Sequence, residues 1–255
     1  MGLVEYTVHG AVAEIVMDRP PVNALSSELI SDIDDAVAEA SNPAIRAVVI
    51  HGKKHFAAGA DITRFAEALD SDEPEPQASG LSAVILHFES LEKPTIAAIS
   101  GYALGGGLEL AMGADFRYMA ADAKVGQPEI LLGIIPGAGG TQRLPRIAGF
   151  RVAKEMCFSG RHITADEALR VHLADKVIEP ETLIETALED AARWAEGPTR
   201  AYWAVKKAMS DGNGLALESA VGVERAAFEE VFQTADARAG IMAFVNKQQA
   251  EFSGQ

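Results

Sequence analysis

Two glutamates stand where a charge is costly. Glu109 lies inside GYALGGGLELAMGAD, residues 101–115, among Leu108, Leu110, Ala111 and Met112; Glu129 lies in QPEILLGIIPG, after a proline and before another apolar run. Apolar surroundings desolvate an ionised carboxylate and raise its pKa toward the range useful for proton transfer. Two such groups can hold a water and move protons on both sides of a reacting bond. Each also has a plainer explanation. Glu109 could point outward from an amphipathic helix or pair with an arginine, and Glu129 could be a helix-start acid favoured by the dipole.

The glycines Gly105, Gly106 and Gly107 precede Glu109. A glycine run before a helix lets backbone approach a ligand and leaves first-turn N–H groups free to donate to a developing oxyanion. A second small-residue loop, FAAGAD at 56–61, offers another set of donors. Oxyanion holes commonly draw two N–H groups from different segments. Taken alone, FAAGAD is equally an ordinary tight turn.

Other chemistries find less support. There is no GxSxG, and the glycine cluster fits neither GxGxxG, since Leu110 stands at the last glycine, nor GxxxxGK[ST]. His9, His51, His55, His87, His162 and His172 show no metal-ligand spacing, and Cys157 is the only cysteine. No metal site and no intrachain disulfide are expected. With 22 Lys and Arg against 37 Asp and Glu, the net charge of −15 disfavours nucleic acid and anionic membranes as partners. The N-terminal MGLVEYTVHG has neither a basic region nor a long apolar run, and no stretch reaches the roughly 18 residues that span a bilayer. A cytoplasmic protein is expected.

The elements that must position these residues follow from periodicity. Residues 3–17 alternate and break at His9-Gly10, predicting a hairpin. Ser26 caps a helix whose apolar face is Leu25, Leu29, Ile33 and Val37, ending near Asn42-Pro43. RAVVIHG, TIAAIS, FRYMA and DKVIE read as strands. A short helix is expected from Ile62, a solvated loop at DSDEPEP (70–76), and a helix along Leu81, Val84, Ile85, Phe88 and Leu91. Thr164 and Glu167 form a capping-box pattern. Beyond about residue 181 the chain reads helical, with excess apolar surface at Ile241, Met242, Phe244 and Val245 that suggests a subunit interface. No internal sequence repeat is evident. An α/β core with a helical C-terminal region is expected.

SGYALGGGLELAMGADFRY, GQPEILLGIIPGAGGTQRLPR and HFAAGADI together resemble the three signature segments of the enoyl-CoA hydratase/isomerase, or crotonase, family. RPPVNALS and GRHITADEAL extend the resemblance over nearly the whole chain. It implies a spiral of ββα units over 1–195 carrying the active site and a helical oligomerisation region over 196–255, assembled as a trimer or a dimer of trimers. The ligand implied is an acyl-CoA thioester, with no cofactor beyond the coenzyme A of the substrate. Its carbonyl would be polarised by the N–H groups of Ala60 and Gly106, with Ala58, Asp61 and Ile62 along the CoA path and Leu104, Pro128 and Leu132 near the acyl side. Glutamate at both positions matches the hydratases. The implied reaction is syn addition of water to a trans-2-enoyl-CoA, Glu109 activating the water and Glu129 delivering a proton to Cα. Alternatives are a Δ3,Δ2-enoyl-CoA isomerase, needing mainly Glu129, and a non-catalytic acyl-CoA-binding protein. RPPVNAL lacks the lysine many relatives place before this motif; Lys53, Lys54 or Lys247 could replace it at the CoA phosphates, or all three could simply be solvated.

Overall fold

A computed structural model of the chain describes residues 2–61 and 78–255. The hairpin forms from β1 (Val4–His9) and β2 (Val12–Met17), paired antiparallel about Gly10. Helix α1 (Ser27–Ala40) starts where Ser26 Oγ accepts the Leu29 N–H, and it buries Leu29, Ile33 and Val37 as the four-residue spacing predicts. After it the chain settles into an alternation, sending one strand to a large sheet and the next to a small one.

The first such unit is β3 (Ala47–Gly52) followed by β4 (Ala57–Ala58). Helix α2 (Ala78–Glu89) leads to β5 (Thr95–Ile99), β6 (Tyr102–Leu104) and α3 (Gly106–Met112). The third unit is β7 (Phe116–Ala120), β8 (Lys124–Gly126) and a 3₁₀ helix, Pro128–Leu132. Then come α4 (Gly140–Ala148), α5 (Phe150–Ser159), β9 (His162–Thr164), α6 (Ala165–Arg170) and β10 (Lys176–Ile178). The large sheet runs β1-β2-β3-β5-β7-β10, parallel apart from the hairpin; the small one runs β4-β6-β8-β9, with β9 antiparallel. This is the α/β spiral of ββα units that the resemblance implies. The repeat is topological, with no matching repeat in sequence.

AVVIHG and TIAAI are buried on both faces, which is why they read as continuous apolar runs rather than alternating ones. The three-residue strands β6, β8 and β9 escape sequence reasoning, whereas the equally short β10 shows in DKVIE. The helix expected from Ile62 and the acidic loop at 70–76 lie outside the described residues.

Helix α7 (Leu183–Ala195) packs on the large sheet and is followed by α8 (Thr199–Gly212), α9 (Leu217–Phe232) and α10 (Ala235–Val245). Their burial is slight: only Thr199 in α8, none in α9 and only Asp236 in α10. Arg46 ties this region to the sheet, donating to Thr199 Oγ1 and to the Gly197 and Phe252 carbonyls.

Candidate active site

The site forms where the small-sheet strands end. Segment 58–61 runs beside 22–25: the Ala58 N–H donates to Val22 O (3.0 Å), Leu25 N–H to Gly59 O (2.9 Å) and Asp61 N–H to Leu25 O (3.2 Å). In a regular strand Ala58 and Ala60 would donate to the same side. Gly59, at φ +85°, lies in the left-handed region and shifts that alternation, so Ala58 and Asp61 both face 22–25. Ala60 N–H is left with no acceptor among the described residues. Asn23 braces the same loop, its Nδ2 reaching the carbonyls of His55 (2.8 Å), Phe56 (3.2 Å) and Met17 (3.2 Å).

Helix α3 starts beside this segment. Leu104 pairs with Ala58 across β6 and β4, and a Cβ on Gly107 would lie only 2.0 Å from Ala57 O. Only glycine permits that approach. Gly106 N–H, in the first turn, also has no protein acceptor among the described residues, as expected for a helix start facing a ligand. All seven residues of α3 are buried, Glu109 among them at 2% exposure. The outward-facing alternative for Glu109 is therefore excluded.

Glu109 Oε1 accepts two backbone N–H groups, from Ala138 at 2.8 Å and Gly140 at 2.7 Å, while Oε2 is turned toward Gly106, 3.9 Å from where its Cβ would be. Burial raises its pKa; the two amides and the charge of Arg143 oppose that rise. Glu129, in the first turn of the 3₁₀ helix, lies opposite: its Oε1 is 2.8 Å from the Cβ position of Gly105. Burial first, and the neighbouring Glu109 charge after it, push the Glu129 carboxyl up to about 7, against its own backbone N–H. Both glutamates also help raise the half-buried Cys157 thiol, after burial, so α5 borders the pair.

Gln127 is a residue the sequence did not single out. It is fully buried, and with its amide turned to donate, Nε2 meets Glu129 Oε1 at 2.9 Å and Oε2 at 3.0 Å. A polar residue before Pro-Glu reads as loop, so only burial gives it away.

The other expected residues fare differently. Asp61 pairs with Arg19 at 2.7 Å, Leu104 and Pro128 are half-buried, and Ile62 lies outside the described residues. The ILLGII run is not core: Leu132 is 54% exposed, Leu131 72% and Ile135 69%. Of the lysines proposed for CoA phosphates, Lys53 is already bound to Glu5 and Asp18 at 2.6 Å each, while Lys54 and Lys247 are exposed.

The family model described as enoyl-CoA hydratase/isomerase matches residues 7–255. A protein of Clostridium acetobutylicum named short-chain-enoyl-CoA hydratase is 40% identical over 248 residues, covering 95% of this chain and 94% of that one. One of Syntrophomonas wolfei named crotonyl-CoA hydratase is 40% identical over 245 residues, covering 94% of each. The crystal structure of an enoyl-CoA hydratase from Bacillus anthracis superposes with a TM-score of 0.92 at 35% identity, covering 99% of this chain and all of that one. On fold, motifs and similarity alike, the chain belongs to the enoyl-CoA hydratase/isomerase family.

Proposed function

We propose that the protein is an enoyl-CoA hydratase, a hydro-lyase that adds water syn across the double bond of a trans-2-enoyl-CoA to give the 3-hydroxyacyl-CoA. The observation that carries this reading is the opposed carboxyl pair. Burial raises Glu109 as well, but two amides and the Arg143 charge favour its ionised form against that rise, while Glu129 is raised to about 7, where it keeps a proton to give.

In this reading the thioester oxygen accepts from the N–H groups of Ala60 and Gly106, which meet the charge that develops there; losing one such donor raises the barrier by roughly 3–4 kcal/mol. Glu109 Oε2 takes a proton from water as its oxygen bonds to Cβ, and Glu129 gives a proton to Cα. Ala58 and Asp61, with Ile62 beyond the described residues, would line the CoA path, and Leu104, Pro128 and Leu132 the acyl side. The reaction needs no cofactor beyond the CoA of the substrate. Relatives named short-chain and crotonyl-CoA hydratase support a short acyl substrate of fatty-acid or related acyl-CoA degradation.

Residues 1–195 would form the catalytic core and 196–255 an oligomerisation region of a trimer or dimer of trimers. Exposed Val221, Phe228, Ile241 and Phe244 on α9 and α10 support that assembly. Among the described residues no helix is long and apolar enough to cross a membrane. A cytoplasmic setting belongs to the same proposal, supported by a single cysteine that suits a reducing compartment.

Hydration removes the conjugated enoyl-thioester absorbance of crotonyl-CoA, which gives the test. No loss with short or medium enoyl-CoAs, or full activity in Glu109→Gln and Glu129→Gln, overturns the reading. Isomerisation of a 3-enoyl-CoA is the second reading, favoured by the raised Glu129; isomerase activity that survives Glu109→Ala while hydration is absent would select it.

A further inference from the structure

The turn that grips Glu109 is itself gripped. Ala138 is a two-sided link: its N–H donates to Glu109 Oε1 at 2.8 Å, and its carbonyl accepts from Arg143 Nη1 at 3.1 Å. The Arg143 guanidinium is 12% exposed and anchored at its other end by Glu89, with Nη2 at 2.6 Å from Oε2 and Nε at 3.3 and 3.4 Å from the two oxygens. A planar guanidinium bound in this forked way is fixed in orientation as well as position. The turn wraps closely around it, for a Cβ on Gly139 would lie 2.1 Å from Arg143 Nη1. Glu89 closes α2 and Arg143 lies on α4, so two helices that do not carry the carboxylate set its seat.

We propose that Arg143, anchored by Glu89, is a positioning residue for Glu109: it holds the Ala138–Gly140 turn so that both amides engage one carboxylate oxygen and leave the other directed at the substrate site. The inference rests on the hydratase reading for its catalytic consequence, though not for its geometry. Without Arg143 the turn can relax, both oxygens can rotate, and the base loses its aim. A reactive group displaced by about 1 Å can lose on the order of 100-fold in rate. Among the described residues, three ionisable groups interact with the Glu109 charge: Arg143 from α4, Glu129 from the 3₁₀ helix and the Cys157 thiol from α5. Arg143 is the one cation among them, so it also favours the ionised base.

The test compares wild type with Arg143→Gln, Arg143→Lys and Glu89→Gln in crotonyl-CoA hydration across pH, alongside 13C NMR titration of the Glu109 carboxyl. In Arg143→Gln, kcat should fall roughly 10- to 100-fold with KM within about twofold, and the acid limb of the profile should move to higher pH. Arg143→Lys should restore part of kcat, and Glu89→Gln, which keeps the Arg143 charge, should lower kcat in smaller measure without raising the acid limb, which keeps the comparison available if Arg143→Gln does not fold. An unchanged kcat in the variants, or a Glu109 titration identical to wild type in Arg143→Gln, overturns the inference. If wild type hydrates no enoyl-CoA, the functional reading fails by itself, because the titration still compares the variants with wild type.

Discussion

Gln127 lies against both oxygens of Glu129, at 2.9 and 3.0 Å once its amide is turned to donate. Hydrogen bonds to an ionised carboxylate favour it, so Gln127 works against the burial that raises Glu129. It also fixes the carboxyl plane. Replacing it with Met should lower kcat roughly 10-fold through lost orientation. It should also move the alkaline limb of the rate profile to higher pH, because Glu129 would then hold its proton longer. A pH–rate series on crotonyl-CoA checks both effects.

A bell-shaped profile is the second expectation. Ionised Glu109 and protonated Glu129 must coexist, so kcat should fall at low pH as Glu109 takes up a proton and again above about 7 as Glu129 loses its own. In Glu129→Gln the alkaline limb should vanish along with most of the rate. Rates with crotonyl-CoA from pH 5 to 9 check this.

The same raised carboxyl makes a stability statement. Burial pushes the folded Glu129 carboxyl up to about 7 from an ordinary 4.5, so the contribution it makes is present below about 4.5 and is lost as pH rises through 7. Glu129→Gln removes that loss. At pH 8 the variant should melt roughly 2–4 °C above wild type, and the two should converge near pH 4. Calorimetry at both pH values decides it: equal melting at pH 8 contradicts the expectation.

Gly59 carries a prediction about the polarising donors. A side chain at φ +85° is strained, and relaxing the loop turns the Ala60 N–H away from where the thioester oxygen would sit. Gly59→Ala should lower kcat by roughly 10-fold or more while the far-UV circular dichroism stays native. Wild-type kcat in that variant would detach Ala60 from the chemistry.

The boundary near residue 196 can be probed through Arg46, whose guanidinium bonds three acceptors beyond it. Arg46→Ala leaves those acceptors unmatched and should lower stability by roughly 2–4 kcal/mol. Hydrogen exchange should rise first in 197–201 and 250–255. Uniform exchange across the chain would mean that the C-terminal region is not a separable unit.

Glu109 and Glu129 were legible because a carboxylate amid leucines is a conflict that local sequence displays. The long helices were legible for the same kind of reason, a repeating face. Arg143 was not, since on an amphipathic helix it looks like any solvated cation; what matters is its span to Glu89, 54 residues away. The seat of Glu109 is made of the Ala138 and Gly140 backbone, which side-chain reasoning passes over. The run Ile130–Ile135 misled for the opposite reason. Apolar residues predict burial, yet among the described residues these stand largely exposed.

Gly107 meets the carbonyl of Ala57 with no side chain between them. The gap between the two segments proposed to polarise the thioester is therefore set by a main-chain contact rather than by side-chain rotamers. In the proposed site, substrate preference can then drift at exposed apolar residues such as Leu132 while the proposed polarising half keeps its dimensions. A single methyl group at position 107 would forfeit that insulation, prising the helix from the strand and blunting every substrate alike.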